Sequence, residues 1–371
     1  MNPIRCSIAL VASCLSLLAC GDDSSSGAPD AGPPPGDSAG PDLGPPSPVP
    51  PTPPTPPTPP APGDAGADAG PPGPLSIGLV VHLEALPWHE PTFYDRFREQ
   101  LVAYGEQLQS ASARATFEAR FELTSEVAVR SDTLYSELEA MGHAVGVHAD
   151  LGGAPSPMYD QARFASDLLL RYGQLGALGI DVRHVSGVCS HLDWVAASIE
   201  AGFRFTSGTV AYCLMSLPEA ERPASFRMCA SAAECHERWP ETLSDRLQPW
   251  RVESGADWTT DSPDGRLVVL PAGNGLPCAE EERGGGIPDS CTLTPADIDL
   301  YFADLETALA SRAPGRVNVF YTSWSWGRPV DTMLLDQWLE RMQPYLDDGR
   351  VEWRTLPQMY DDYVAWEAMA R

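Results

Sequence analysis

Beyond residue 74 the sequence alternates short apolar runs with amphipathic segments, and this alternation constrains the fold more than any other feature. The apolar run 76–83 has the length of a buried strand, and apolar side chains at helical spacing follow it from Phe93 to Leu108. Strand and helix in repeated alternation predict a parallel sheet, and the number of units favours an irregular (β/α) barrel with outer helices over an open sheet. Further strand-like runs occupy 115–121, 143–148, 185–188, 267–270 and 317–321.

Residues 1–20 have the pattern of an export signal. Arg5 gives a basic start, the apolar core at 8–12 is too short to span a bilayer as a helix, and the segment ends in small residues. The sequence Leu-Leu-Ala-Cys at 17–20 resembles the bacterial lipobox, in which the cysteine is lipidated and becomes the first residue of the mature protein. We therefore expect an exported protein whose lipid anchor on Cys20 holds it to the cell envelope, in the periplasm or at the cell surface. The alternative is a plain signal peptide with an incidental cysteine.

Residues 21–74 consist mainly of Gly, Ser, Asp, Ala and Pro and hold 20 of the 38 prolines. With almost no large apolar side chain, this segment cannot offset the entropy of ordering by burial, so we expect a disordered linker. Its PPT repeats favour extended polyproline II at about 3.1 Å per residue, which suits a spacer between a lipid anchor and a folded domain. A ligand for a proline-recognition domain is the alternative. The folded domain is expected to comprise residues 75–371.

The chain has 24 basic residues, all of them arginine, against 51 acidic ones, which gives a net charge of −27. An excess of carboxylates repels phosphate, and this argues against a nucleic-acid partner and against binding to anionic membranes. The sequence contains no GxGxxG or P-loop pattern, which removes the common nucleotide-binding functions.

Cysteine use agrees with export, because six of the nine cysteines remain once Cys6, Cys14 and the lipidated Cys20 are set aside. An even number in an oxidising compartment predicts three disulfides, for which about fifteen pairings exist. The lack of a CxxC pair argues against a structural zinc site. Short loops favour the pairs Cys189 with Cys213, Cys229 with Cys235, and Cys278 with Cys291.

Two His-x-acid pairs stand where strands end, His82 with Glu84 and His148 with Asp150. Residues two apart in a strand project the same way, and the carboxyl ends of parallel strands meet at one end of a barrel. Imidazole nitrogen and carboxylate oxygen bind Zn²⁺ and similar divalent ions, and a second carboxylate can deprotonate the water that such an ion activates. The two pairs therefore predict a divalent metal site, with zinc as the first candidate. The alternative is a metal-free, hydrogen-bonded pair that shapes a loop.

The segment Met-Gly-His-Ala-Val-Gly-Val-His at 141–148 resembles the Gly-His-Glu-Ile-Gly-x-His segment of the polysaccharide deacetylases, carbohydrate esterase family 4 with the NodB-homology domain. These are metal-dependent enzymes that remove N- or O-acetyl groups from glycans. The resemblance implies a deacetylase-type barrel, a hydrolase activity, a glycan or cell-envelope polysaccharide as partner, and Arg183 as a polar residue that orients the site. Arg-Ala-Thr-Phe at 114–117 resembles the family's ATFF strand, and shorter similarities lie at 183–187, 201–203 and 349–356.

The chain departs from the family pattern in three of the motifs that carry the chemistry. The family begins with two adjacent aspartates, one a base and one a metal ligand, whereas this chain offers Glu84 as ligand and His82 as third ligand or base. In the family's His-x3-His motif the first histidine corresponds to His148, but position 152 is glycine. Asp150 or His82 is left to take the place of the second histidine.

The family's late Leu-x-His motif falls at 321–326 and has no histidine here, so the expected general acid is missing. Trp324 and Trp326 in the same segment are candidates to stack on sugar rings, with packing in the core as the alternative. Two functions therefore remain. The first is a surface-anchored, metal-dependent deacetylase-like hydrolase that acts on a glycan. The second is a catalytically inactive carbohydrate-binding or envelope-structural lipoprotein that has kept the barrel and lost the chemistry.

Replacing Cys20 with alanine removes the expected lipid acceptor, so the Cys20→Ala protein should no longer partition with membranes. Cell fractionation, with mass spectrometry of the mature N-terminus of the parent, measures this. Cys14→Ala, inside the expected signal, is the control. A Cys20→Ala protein that partitions with membranes as the parent does would contradict the lipoprotein hypothesis.

Overall fold

The computed structural model describes residues 72–84, 86–152, 159–231, 234–271, 294–326 and 332–370. The expected signal, Cys20 and the linker up to residue 71 lie outside these ranges, and so do Cys278 and Cys291. No helix within the described ranges is long and apolar enough to cross a membrane.

The regular structure of these residues consists of strands and helices that follow one another along the chain. The strands are β1 (Leu75–Leu83), β2 (Ala115–Ala119), β3 (Ala144–His148), β4 (His184–Ser186), β5 (Phe205–Ser207), β6 (Trp250–Val252), β7 (Leu267–Leu270), β8 (Val319–Trp326) and β9 (Val351–Trp353). The α-helices are α1 (Pro91–Ser110), α2 (Phe121–Arg130), α3 (Leu134–Ala140), α4 (Gln161–Ala177), α5 (Trp194–Ala201), α6 (Pro295–Ala310), α7 (Thr332–Asp347) and α8 (Leu356–Ala370).

All of these strands belong to one sheet, in the order β6-β7-β5-β4-β3-β2-β1-β8. Strand β9 pairs with the first residues of β1, 75–77, and β2 pairs with the last five, 79–83. The described pairs are parallel except for β6 on β7. Parallel neighbours require crossover connections, and here most of these contain a helix, as the alternation in the sequence predicts.

The sheet curls until strands from its two halves interact across the interior. Val319, at the start of β8, donates its amide hydrogen to the carbonyl of Leu247, just before β6, at 2.8 Å. The Tyr321 hydroxyl donates to the carbonyl of Leu270 on β7 at 3.0 Å and accepts from the amide of Gly208 at 2.7 Å. The predicted α/β fold, an irregular barrel of mostly parallel strands with outer helices, is confirmed.

Side chains alternate along β1 between two apolar regions. Leu79 and Val81 belong to the large core between the sheet and the outer helices, whereas Val80 belongs to a smaller cluster inside the curled sheet. Met359 and Tyr363 of α8 complete the smaller cluster. Helix α8 therefore packs against the interior face of the sheet, and the polar interior side chains lie nearer the carboxyl end of β1.

Two disulfides lie within the described residues, Cys189–Cys213 and Cys229–Cys235. Both pairings are those that the short loops favour. The first bond ties the loop after β4 to the 3₁₀ turn after β5. The third expected pair, Cys278 with Cys291, lies outside the described residues.

Gly78 on β1 lies where α8 leaves no room for a side chain, because a Cβ there would be 2.7 Å from the Arg354 carbonyl oxygen and 2.9 Å from Cε of Met359. Gly78→Ala should therefore lower the free energy of unfolding by about 1–3 kcal/mol through overpacking. Gly173, exposed inside α4 with nothing within 4 Å, is the control, since Gly173→Ala should raise the free energy of unfolding by about 0.5–1 kcal/mol. Urea unfolding measures both effects. Equal shifts in the two variants would contradict the packing of α8 against β1.

Candidate metal centre

Three side chains from the carboxyl ends of β1 and β3 meet inside the barrel. His82, Glu84 and His148 each offer one ligand atom, and these atoms lie within 4.8 Å of one another. The imidazole rings of His82 and His148 stack with their centres 4.4 Å apart. Nε2 of His148 lies 3.8 Å from Oε1 of Glu84. The structure thus brings together three of the four residues in the two His-x-acid pairs.

The strand between these two, β2, contributes Glu118, a residue that sequence reasoning missed. Its side chain is entirely buried, and its two oxygens have four partners. His184 Nε2 and Ser207 Oγ donate to Oε1 at 3.0 and 2.8 Å. Ser186 Oγ donates to Oε2, and His82 Nε2 lies 3.1 Å from the same oxygen. The available signal was a glutamate in an otherwise apolar strand, because a buried carboxylate requires partners.

Burial and hydrogen bonding act against each other on the pKa of Glu118. Burial raises the pKa of this carboxyl, but hydrogen bonds from His184 and His82 outweigh burial and hold the pKa well below its usual value. Glu118 is therefore ionised at neutral pH. An ionised carboxylate has only acceptor positions, so each of its partners must donate a hydrogen.

The environment of His148 keeps its imidazole neutral. Burial, together with the neighbouring His82, lowers the pKa of His148. Its Nδ1 lies 2.8 Å from Ser186 Oγ. A neutral imidazole with one nitrogen held by a hydrogen bond is the form in which histidine ligates a metal.

At the rim of the site Arg120 lies between two carboxylates. It forms an ion pair with Asp150, and its Nη1 lies 3.9 Å from Oε2 of Glu84. Asp150 was predicted as a metal ligand, but among the described residues the converging group consists of the other three side chains. The side chain of Asp150 is 51% exposed and pairs with Arg120.

Arg183 was predicted to orient the site, and the structure places it at the other end of its strand. It precedes β4, whereas Ser186 ends that strand beside the histidines. Its guanidinium pairs with Asp361 of α8 at 2.8 Å and with Asp181 at 3.2 Å. Arg183 therefore pairs α8 with the start of β4, and Arg120 is the arginine next to Glu84, one of the three candidate ligands.

Trp324 and Trp326 lie on β8, in register with Val81 and Leu83 of β1. Their backbone is therefore next to the part of β1 that carries His82. The side chains of both tryptophans, and with them the predicted contact with sugar, lie outside the described part of the structure.

Gly146 of β3, one of the glycines in the segment 141–148, makes room for His184. A Cβ at this position would lie 1.7 Å from Cε1 of His184. The His184 ring also stacks on Phe205, with their centres 5.0 Å apart, which limits how far it can shift. The missing side chain at position 146 is what allows His184 to reach Glu118.

No protein-family model matches the chain, and no curated protein matches it. Among solved structures, the Puue allantoinase is similar at 12% identity and a TM-score of 0.49, over 80% of this chain and 95% of that one. A probable polysaccharide deacetylase from Pseudomonas aeruginosa PAO1 is similar at 11% identity and a TM-score of 0.49, over 78% and 91% of the two chains. The 4-alpha-glucanotransferase from Thermococcus litoralis is similar at 13% identity and a TM-score of 0.42, over 77% of this chain and only 38% of that one. At such low similarity the function of the site has to be inferred from the side chains of this chain.

Gly146→Ala should lower the free energy of unfolding by about 1–3 kcal/mol, because the new methyl group overlaps His184. His184→Ala alone leaves Glu118 with one donor fewer and should cost about 1–3 kcal/mol. In the double variant the methyl group meets no ring, so the combined cost should fall short of the sum by about 1 kcal/mol or more. Chemical unfolding of the four proteins measures this coupling. Strictly additive costs would show that His184 does not fill the space beside Gly146.

Proposed function

We propose that the domain at 75–371 is a divalent-metal-dependent hydrolase that removes acetyl groups from a glycan. The observation that carries the proposal is the meeting of His82, Glu84 and His148 within 4.8 Å. Two imidazoles and one carboxylate are a ligand set that catalytic zinc uses, with a further position left for water. Zinc is therefore the first candidate, although imidazole and carboxylate also accept other divalent ions.

The partners of the two histidines support a metal-binding role. A histidine that ligates a metal usually has its other ring nitrogen held by a hydrogen bond, often to a carboxylate. Here Nε2 of His82 faces the carboxylate of Glu118, and Nδ1 of His148 faces Ser186.

A divalent ion held by His82, Glu84 and His148 would supply Lewis acidity, which lowers the pKa of a bound water toward about 7. The surrounding side chains then have separate roles. Arg120, fixed by its ion pair with Asp150, is the cation at the rim that can orient an acyl oxygen. Asp150 is the half-exposed carboxylate at the rim that can take up a proton.

The glycan substrate rests on the resemblance of the segment 141–148 to the polysaccharide deacetylases. The net charge of −27 favours an uncharged acetylated polysaccharide over a polyanion, since like charges repel. A lipid anchor on Cys20 and the linker at 21–74 would hold the enzyme next to the polysaccharides of the cell envelope. This location is part of the proposal.

A catalytically inactive glycan-binding or envelope-structural lipoprotein is the second candidate. Gly152 stands where the family has its second histidine, and the segment 321–326 has no histidine to act as general acid. On this alternative the barrel keeps its affinity for a glycan without hydrolysing it.

Metal analysis of the purified full chain should find one divalent ion per molecule. His148→Ala and Glu84→Ala each remove a ligand, so each should lower metal affinity by about tenfold or more. His236→Ala, beside the Cys229–Cys235 disulfide, is the control. Release of acetate from an acetylated glucosamine oligosaccharide should fall in proportion to metal content when a chelator is added.

The opposite result would favour the second candidate. If the parent holds no stoichiometric metal, and the His148→Ala variant binds the oligosaccharide as tightly as the parent does, the hydrolase proposal is wrong.

A further inference from the structure

Glu118 lies outside the three-residue ligand group but is linked to both of its histidines. Nε2 of His82 lies 3.1 Å from Oε2 of Glu118. Ser186 connects the same oxygen to His148, because its hydroxyl donates to Oε2 and lies 2.8 Å from Nδ1 of His148. Oε2 of Glu118 is thus connected to two imidazoles on two different strands, directly to His82 and through Ser186 to His148.

The directions of these hydrogen bonds determine where the protons lie. A carboxylate offers about four acceptor positions, and two further donors fill those of Oε1. His82 must therefore donate from Nε2, and Ser186 must donate its hydroxyl hydrogen to Oε2. Since Ser186 has a single hydrogen and gives it to Glu118, its oxygen must accept from Nδ1 of His148.

We infer that Glu118 is the positioning residue of the site, which sets the tautomers of His82 and His148 so that Nδ1 of the first and Nε2 of the second carry the lone pairs. The inference rests on the proposed function in one respect, the use of those lone pairs to bind a metal. Nε2 of His148 is also the ring nitrogen that lies 3.8 Å from Glu84, the third candidate ligand. Rings held in one orientation and one tautomer bind a metal without a further cost of ordering.

Burial keeps this arrangement in place. The two donors to Oε1 are His184 and Ser207, and each of these residues is no more than 2% exposed. Glu118 and Ser186 are buried to the same extent. Water therefore does not compete for these hydrogen bonds. The pair on Oε1 fixes the carboxylate, while Oε2 acts on the candidate ligands.

Titration of the full chain with Co²⁺ tests the inference. The titration measures the affinity of the site for Co²⁺, and the visible spectrum of the bound ion reports its coordination. Glu118→Gln preserves the size of the side chain but gives up one acceptor oxygen, so it should weaken Co²⁺ binding by about 10–100-fold and alter the spectrum. Glu126→Gln is the matched control, since Glu126 pairs with Arg130 on the surface of α2. Its affinity for Co²⁺ should equal that of the parent.

The tautomers can be measured without any metal. Nitrogen NMR of the histidine rings in the metal-free parent should show His82 protonated at Nε2 and His148 protonated at Nδ1. Glu118→Gln should produce a mixture of tautomers in both rings. If this variant fails to fold, Ser186→Ala decides. It removes the connection between Glu118 and His148 and leaves the contact of His82 with Glu118 in place, so the His148 ring should change tautomer while His82 keeps its own.

Each outcome separates the role of Glu118 from the proposed function. A folded Glu118→Gln variant with the cobalt affinity, spectrum and tautomers of the parent overturns the inference. A parent that binds no cobalt overturns the proposed function instead, and the tautomers alone then decide the role of Glu118. Thermal unfolding of the metal-free proteins distinguishes loss of positioning from general loss of stability.

Discussion

One buried carboxylate couples the sheet to the candidate metal centre. Glu118 is removed from water inside a parallel sheet, where leaving its charge without partners would cost about 3–5 kcal/mol. Its partners come from β1, β4 and β5, and through Ser186 it reaches His148 on β3. Together with β2, which carries Glu118, these four strands form five adjacent strands of the sheet. A slip in the register of β1, β4 or β5 would remove a hydrogen bond from the carboxylate, and a slip of β3 would separate His148 from Ser186. The polar interior therefore favours one strand register.

The barrel interior has an apolar region and a polar region. Apolar side chains of α8 fill the region beside Gly78, where the chain around the start of α8 comes too close to β1 for a side chain at position 78. The ion pair of Arg183 with Asp361 strengthens the same contact. Polar residues occupy the region toward the carboxyl ends of the strands. This is where functional residues usually lie in barrels of alternating strands and helices, because loops at that end can vary without disturbing the core.

Several residues at which the sequence differs from the deacetylase motifs that it resembles contact one another. In the segment that resembles the ATFF run, Glu118 stands at the position of the second phenylalanine. A phenylalanine there would need no hydrogen-bond donors. Here the glutamate needs several, and His82 at the end of β1 is one of them. Arg120, two residues further along, pairs with Asp150, the acid of the second His-x-acid pair. These side chains satisfy one another's hydrogen bonds and charges inside the barrel and at its rim.

The features that could be predicted from the sequence depend on residues close together in the chain. The alternation of apolar runs predicted the parallel sheet with its outer helices, a spacing of two predicted that His82 and Glu84 project together, and short loops favoured the two observed disulfides. The partners of Glu118 could not be predicted in this way, because His184 and Ser207 lie 66 and 89 residues away from it along the chain and meet it only in the folded sheet. Which arginine reaches the site was also a tertiary outcome. An arginine at the amino end of one strand and an arginine beyond the carboxyl end of another look alike in sequence. Strand order and strand bounds, which packing of the whole domain sets, place only the second beside Glu84, a candidate metal ligand.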